Sequence, residues 1–259
     1  MGNHNHFVCS SAIDTDAEVL KTISLLEKAI LNNQIQKVQQ LLRLGAEINF
    51  CDSRKRTPLM AAVETDNPEL CEFLIKRGAK LELRDCYGRT AYLRAARVSK
   101  NPDVLSVLEK YGCNVFARDD NNDDALFSAA EYNTSLKIVN HIILKHDVDD
   151  NRDLYNYTPL MVAAHFNPNP EIIKTLLLQA EDYDLVDKDG CTAFMHSAYH
   201  NKDNPQIFMA MCDFLKIIDP KKYKERLMKK RNDGKDMLDI AIDNGNIEVA
   251  LAIENEMKK

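Results

Sequence analysis

The sequence predicts an all-α solenoid of stacked helix-turn-helix units joined by hairpin-like loops. Three observations point there. One phrase recurs along the chain: TPLMAAVETDNPELCEFLIKRG from Thr57, TAYLRAARVSKNPDVLSVLEKYG from Thr90, TPLMVAAHFNPNPEIIKTLLLQ from Thr158 and TAFMHSAYHNKDNPQIFMAMCDFL from Thr192. The opening residues Thr57, Thr90, Asp124, Thr158, Thr192 and Asp236 are spaced by 33, 34, 34, 34 and 44 residues, a period that belongs to stacked arrays. Each copy splits into two short apolar runs around a polar break. Neither run can bury its face alone, so stability must come from neighbouring copies.

Each copy carries the same local signals in the same order. The opening Thr or Asp is a helix N-cap, its side-chain oxygen placed to accept from an otherwise unpaired backbone N–H. Pro58 and Pro159 follow at the first helical position, where proline loses no hydrogen bond. The first helix then passes through small pairs, Ala61-Ala62, Ala95-Ala96, Ala129-Ala130, Ala163-Ala164 and Ser197-Ala198, which let a neighbouring helix approach closely. The polar breaks Asn67-Pro68-Glu69, Asn101-Pro102-Asp103, Asn169-Pro170-Glu171 and Asn204-Pro205-Gln206 each restart a helix with a cap and a first-turn proline. The second helix is apolar at i and i+4, as in Leu70/Leu74, Val104/Leu108, Ile138/Ile142 and Ile172/Leu176. Gly78 and Gly112 end it. About ten residues of extended turn lead to the next cap. One slot there holds Gly88, Asn122, Asn156, Gly190 and Gly234, types that tolerate positive φ, with Lys55 as the exception.

The pattern D-x-x-G-x-T-P-L-x-x-A-A, then V/I-x-x-x-L, then G-A, resembles the ankyrin repeat from about residue 20 to the end. Asp52, Asp85, Asp119, Asp153 and Asp187 match the family's leading Asp, and Gly45-Ala46 and Gly78-Ala79 its G-A. The N-P-D/E helix starts resemble bacterial ankyrin proteins in particular. The resemblance implies seven units: an N-terminal cap at 20–51, repeats at 52–84, 85–118, 119–152, 153–186 and 187–231, and a C-terminal cap at 232–259, within an ankyrin domain spanning 18–259 behind a disordered tail at 1–17. The last unit is expected to end in a solvated, charged face. The family's TPLH histidine is replaced by Met60, Leu93, Phe127, Met161, Met195 and Asp239, so the polar links made there are expected to give way to packing.

The totals fit a soluble protein with a packed core. The 259 residues are 45% apolar and 29% charged with net charge −6, which argues against general nucleic-acid binding, where phosphates must be neutralised. No segment approaches the length of a membrane helix, and the N-terminus has neither a signal-type apolar run nor the Ser or Thr of a myristoylation signal. Seven scattered cysteines without a C-x-x-C pair predict free thiols in a reducing compartment. A cytoplasmic monomer is expected, with export into a host cell by a non-classical route left open.

In the ankyrin family the concave surface is built from hairpin tips and the outer edge of each first helix. Mapped onto the five units with a leading Asp, that surface has 25 positions, of which six are aromatic, against 7% aromatic in the whole chain. Tyr and Arg dominate binding hot spots. The expected partner-binding residues are Tyr87, Arg89, Arg97, Tyr132, Tyr155, Tyr157, His165, Phe166, Tyr199 and His200, with Arg54, Arg56, Arg89 and Arg97 as a basic flank. The plainer alternative is that these tyrosines only pack along the hairpin row.

Other chemistry is weakly supported. DDNNDD at 119–124 lacks the Gly and Glu of a calcium loop, having Asp124 and Ala130 in their places. KKYKERLMKKR at 221–231 is an insertion before the last unit, and is read first as a solvated helix balancing the acidic repeats. His196 and His200 share a helix face, but Ser197 stands where a catalytic zinc motif has Glu. No phosphate loop and no nucleophile elbow is present. The resemblance therefore implies a protein-protein interaction module acting through its concave face, with no catalysis, metal or cofactor. The alternatives are a regulator or exported bacterial effector using the same face, and a metal-dependent enzyme built on His196 and His200.

Overall fold

A computed structural model describes residues 17–149, 151–199 and 205–258. Every regular element among the described residues is a helix. The chain forms two compact units, which meet in sequence between Asp120 and Asn121.

The first unit holds α1 (Ala17–Leu31), α2 (Ile35–Arg43), α3 (Pro58–Val63), α4 (Pro68–Lys76), α5 (Ala91–Val98) and α6 (Pro102–Lys110). Helices α1, α3 and α5 pack side by side, each backed by its partner α2, α4 or α6. The capping residues do what their types dictate. Thr57 and Thr90 accept from the N–H groups of Met60 and Leu93, and Asn67 and Asn101 from those of Leu70 and Asp103. Helix α3 is buried all round, as a helix between two neighbours must be, while α4 buries only Leu70, Cys71 and Leu74.

The methionines in the family's histidine slot bond to the caps of their own helices. Met60 Sδ accepts the Thr57 N–H at 3.5 Å, and Met161 Sδ accepts the Thr158 N–H at 3.4 Å. Both methionines are buried in the core, and the weak sulfur acceptor also closes the capping box of its own helix.

The leading Asp braces the hairpin tips. Asp85 Oδ1 accepts from the N–H groups of both Tyr87 and Arg89, and Arg84 donates to the carbonyls of Gly88 and Arg118. Successive tips lie so close that a Cβ on Gly88, at φ +76°, would stand 2.8 Å from the Asp120 backbone nitrogen. Lys55, in the equivalent slot, has φ 57°. The sequence exception is therefore one of residue type only: the turn imposes the left-handed conformation on Lys55 as well.

The second unit holds α7 (Ala125–Tyr132), α8 (Leu136–Ile143), α9 (Pro159–Phe166), α10 (Pro170–Gln179), α11 (Ala193–Tyr199), α12 (Gln206–Ile218), α13 (Pro220–Leu227), α14 (Met237–Asp243) and α15 (Ile247–Met257). Helices α7, α9, α11 and α14 form one row, and α8, α10 and α12 back it. Here Asn122 and Asn156, both at φ 69°, use their amides to reach the carbonyls of Arg152 and Val186 in the following hairpin.

The basic insertion is a helix with one solvated face, as expected, and one buried face. Helix α13 packs on α12 and α15 and buries Tyr223, Arg226 and Leu227. Arg226 forks onto Asp184 with two bonds of 2.9 Å and reaches Asp219 at 3.3 Å. Lys221, Lys222 and Lys224 remain on the exposed side. The C-terminal helices also depart from expectation, since Ile242, Ile247 and Leu251 are exposed beside the charged residues.

Cys71, Cys86, Cys113, Cys191 and Cys212 are free thiols, and burial pushes Cys71 and Cys212 up to about 12. Cys51 is disulfide-bonded, which corrects the expectation of uniformly free thiols. Residues 1–16 of the expected tail, Asn204 of the last N-P helix start, and His200 lie outside the described residues.

Candidate partner-binding face

The second unit gathers most of the expected site. In the hairpin that opens at Asp153, one carboxylate oxygen accepts from the N–H groups of Tyr155 at 2.8 Å and Tyr157 at 2.7 Å. That brace fixes the loop without using either phenol. Tyr155 is left 62% exposed and Tyr157 half-buried, their rings 6.2 Å apart. The last turn of α9 supplies His165, half-buried, and Phe166, 48% exposed. The last turn of α11 supplies Tyr199, half-buried. The two helices approach closely because Ala163, Ala164, Ser197 and Ala198 are small and buried.

The result is a stack. The His165 ring lies 4.1 Å from Phe166 and 5.1 Å from Tyr199, almost parallel to the latter. Tyr157 meets His196 edge-on at 4.9 Å. Tyr132, 45% exposed, ends α7, the neighbour of α9. Arg231, from the end of the basic segment, donates to the Tyr199 hydroxyl at 2.6 Å and pairs with both carboxylate oxygens of Asp233.

Beneath the stack runs a hydrogen-bonded chain that sequence reasoning did not assemble. His196, 2% exposed, places Nε2 at 2.8 Å from Asp187 Oδ2 and Nδ1 at 3.2 Å from His165 Nδ1. Asp187 Oδ1 accepts from the N–H groups of Asp189 and Cys191, each at 2.9 Å. Burial pushes the Asp187 carboxyl up, but the hydrogen bonds from His196 and from the Cys191 and Asp189 N–H groups outweigh it, and the net shift is downward. An ionised carboxylate only accepts, so the proton lies on His196 Nε2. The other ring nitrogen, Nδ1, is left to share a hydrogen bond with His165 Nδ1. The leading Asp of this repeat thus orients the His196 imidazole against His165. Its alignment with the other leading Asp residues was visible in the sequence, but its partner nine residues later was read only as half of a metal pair.

The remaining expected residues fall differently. Tyr87, in the first unit, is exposed, with the Arg89 guanidinium 4.4 Å from its ring centroid. Arg89 is itself paired to Asp85 at 2.9 Å, and Arg56 to Asp52 at 2.7 Å and Glu27 at 3.2 Å. The basic flank is therefore largely neutralised, because an Arg four residues after the leading Asp folds back onto its carboxylate. Arg97 is half-buried at the end of α5, and Arg54 is exposed.

Among the described residues no group of three or more His, Cys, Asp or Glu side chains could hold a metal ion. No helix among them is long and apolar enough to cross a membrane.

Comparison with known proteins matches this architecture. Residues 26–119, 94–183 and 163–257 each match the family model described as ankyrin repeats in three copies. Human 2-5A-dependent ribonuclease is 40% identical over 73 residues, 28% of this chain and 10% of that protein. Phosphocholine transferase AnkX of Legionella pneumophila is 33% identical over 87 residues, 29% of this chain and 9% of that protein. This chain therefore spans about a tenth of the length of the curated relatives it matches. The crystal structure of the human ASB11 ankyrin repeat domain superposes with a TM-score of 0.68 at 18% identity, covering 88% of this chain and 96% of that one. The repeated caps, the paired helices and the family match over most of the sequence agree, and the chain belongs to the ankyrin-repeat family.

Proposed function

We propose that this protein is a non-catalytic interaction module that holds a partner protein on the hairpin and first-helix face of its second unit, through Tyr132, Tyr155, Tyr157, His165, Phe166 and Tyr199. The observation that carries this is the exposure of Tyr155 and Phe166 on a frame already satisfied by its own hydrogen bonds. Large apolar surface held rigid in water gains most when a partner covers it, and little ordering entropy remains to oppose binding. Tyr87, Arg89 and Arg97 form a smaller candidate contact on the first unit. The same docking serves a scaffold or a regulator that occludes its partner.

The test is affinity capture from native lysate with the intact chain and with the Tyr155→Ala, Phe166→Ala double variant. Loss of a discrete partner set is expected, at about 1–2 kcal/mol or more per anchor. Undiminished capture of every partner would remove this face from consideration. The protein is proposed to act as a cytoplasmic monomer. The free thiols among the described residues support that compartment and the Cys51 disulfide opposes it; intact mass under non-reducing conditions tests whether that disulfide is present.

A further inference from the structure

The first and last helix pairs of this chain carry uncovered faces that match. Left-handed residues align both pairs with the inner repeats. Asn33, Asp66 and Gly245 hold the same place in the turn between paired helices, and Gly45, Gly78 and Gly112 the same place after the second helix. On that alignment Ile242, Asp243 and Leu251 of α14–α15 stand where α3–α4 has Val63, Glu64 and Glu72. Lys28, Arg43 and Leu44 of α1–α2 stand where α5–α6 has Arg94, Lys110 and Tyr111. These are the positions that join one repeat to the next. Arg94 reaches back to Glu64, and Lys110 Nζ and the Tyr111 hydroxyl reach back to Glu72 at 2.8 and 2.9 Å. Val63, on a helix with α5 packed against it, is fully buried.

In the first and last pairs the same positions face water. Ile242 is 60% exposed, Leu251 50% and Leu44 72%. Lys28, Arg43 and Asp243 are exposed too. A terminal repeat stays soluble by turning a polar outer face to water, yet α14–α15 puts an isoleucine and a leucine there. Where Tyr111 meets Glu72 inside the chain, the two ends offer Leu44 and Leu251, apolar groups that gain by covering each other. Where Arg94 meets Glu64, they offer Lys28 and Asp243, which are opposite charges. Asp243 already pairs with Lys235 at 2.5 Å, and Glu64 likewise has Arg56 of its own repeat at 4.0 Å. A second cation from a neighbour therefore follows the inner pattern. Arg43 would keep its charge in water at the rim, as Lys110 does with its side chain 65% exposed.

We propose that a second copy of this chain covers this face: the α14–α15 end of one copy stacks on the α1–α2 end of the next, with Leu251 against Leu44 and Asp243 toward Lys28. The contact is heterologous, so a pair of copies still has one open end of each kind. This goes beyond the binding face proposed above, and makes the monomer proposed there the dilute form of the protein.

The experiment is sedimentation velocity of the full chain at about 2, 30 and 300 µM, which spans the weak affinities of small interfaces. The wild-type mass should rise with concentration from 29.5 kDa past twice that value. Leu44→Glu and Leu251→Glu, both at exposed positions and checked for unchanged circular dichroism, should each weaken self-association about tenfold or more. An equimolar mixture of the two variants should associate again, but only into pairs, because each keeps the end that the other needs. Leu144→Glu, at an 84% exposed leucine beside α8, is the control and should associate as wild type does. A wild type that stays at 29.5 kDa throughout would overturn the proposal and leave the end face to a different protein or a further repeat. Self-association of Leu44→Glu alone, with Leu251→Glu monomeric, would mark a tail-to-tail pair and overturn it too, as would association that ignores both substitutions. The Tyr155→Ala, Phe166→Ala variant should associate as wild type does, so the failure of this contact and the failure of the partner-binding face are read separately.

Discussion

Replacing Asp187 with Ala removes the anchor of the chain beneath the aromatic stack, and the size of the loss can be worked from its bonds. The carboxylate accepts three hydrogen bonds of 2.8 to 2.9 Å, from His196 Nε2 and from the N–H groups of Asp189 and Cys191. Hydrogen bonds to a charged group contribute about 1.5–3 kcal/mol each. His196 and Cys191 are buried, so two of the three donors would lose their acceptor without gaining water. Asp189 is exposed and its N–H can be resolvated. Counting the two buried donors gives about 3–6 kcal/mol, a large fraction of the roughly 5–15 kcal/mol that a folded domain has in hand. Asp187→Asn should fall between wild type and Ala: it keeps one acceptor for the backbone but turns an amide toward His196. Urea unfolding followed by far-UV circular dichroism measures the difference, with the exposed Asp189→Ala as control at about ±0.5 kcal/mol. The carboxyl's folded value is depressed, so its contribution is present above the unfolded value near 3.9 and is lost as pH falls below about 4 through the folded value. Asp187→Asn should flatten that acid limb. A loss below about 1 kcal/mol for Asp187→Ala would show that the His196 and Cys191 donors find other partners, and the anchoring argument would fail.

Other perturbations follow from the same geometry. Leu176→Ala, at a fully buried position of α10, should destabilise by about 2–5 kcal/mol through a cavity, read from the same urea curves. Gly190→Ala should lose more than about 1 kcal/mol, because its φ of +81° is left-handed and a Cβ would lie 2.9 Å from Asn232 Cγ. Lys55→Asn should move the other way, gaining several tenths of a kcal/mol by relieving a left-handed lysine, and an unchanged melting temperature would count against strain there. Arg226→Ala should loosen α13, costing about 2–3 kcal/mol and making Lys224 and Met228 amides exchange faster with deuterium. The Arg226 guanidinium holds the Asp184 carboxyl below its ordinary value, so the contribution of that pair, present above the unfolded value near 3.9, should likewise vanish in acid.

The local half of this protein was legible in its residues. A cap needs only an oxygen and an N–H two or three positions on, so Thr57, Asn67, Thr90 and Thr158 announced their helices directly. The period near 34 residues supplied the stacking, because helices of eight residues cannot be stable unless neighbours cover them. The hairpin position of Tyr155 and the helix-end positions of Phe166 and Tyr199 followed from the same register. What tertiary structure alone decided were the contacts that span repeats or reverse a charge. His165 and His196 lie 31 residues apart, and no short-range pattern says that their imidazoles meet. Arg56 and Arg89 read as surface charge until the hairpin folds them onto Asp52 and Asp85. Within the basic run 221–231, Arg226 read as surface charge until it found Asp184, 42 positions earlier, and Tyr223 and Leu227 went inside. The physical division is one of range. Backbone capping and periodicity act over a few residues and are written in order along the chain, whereas burial and ion pairing depend on distances in space that only the packed helices create.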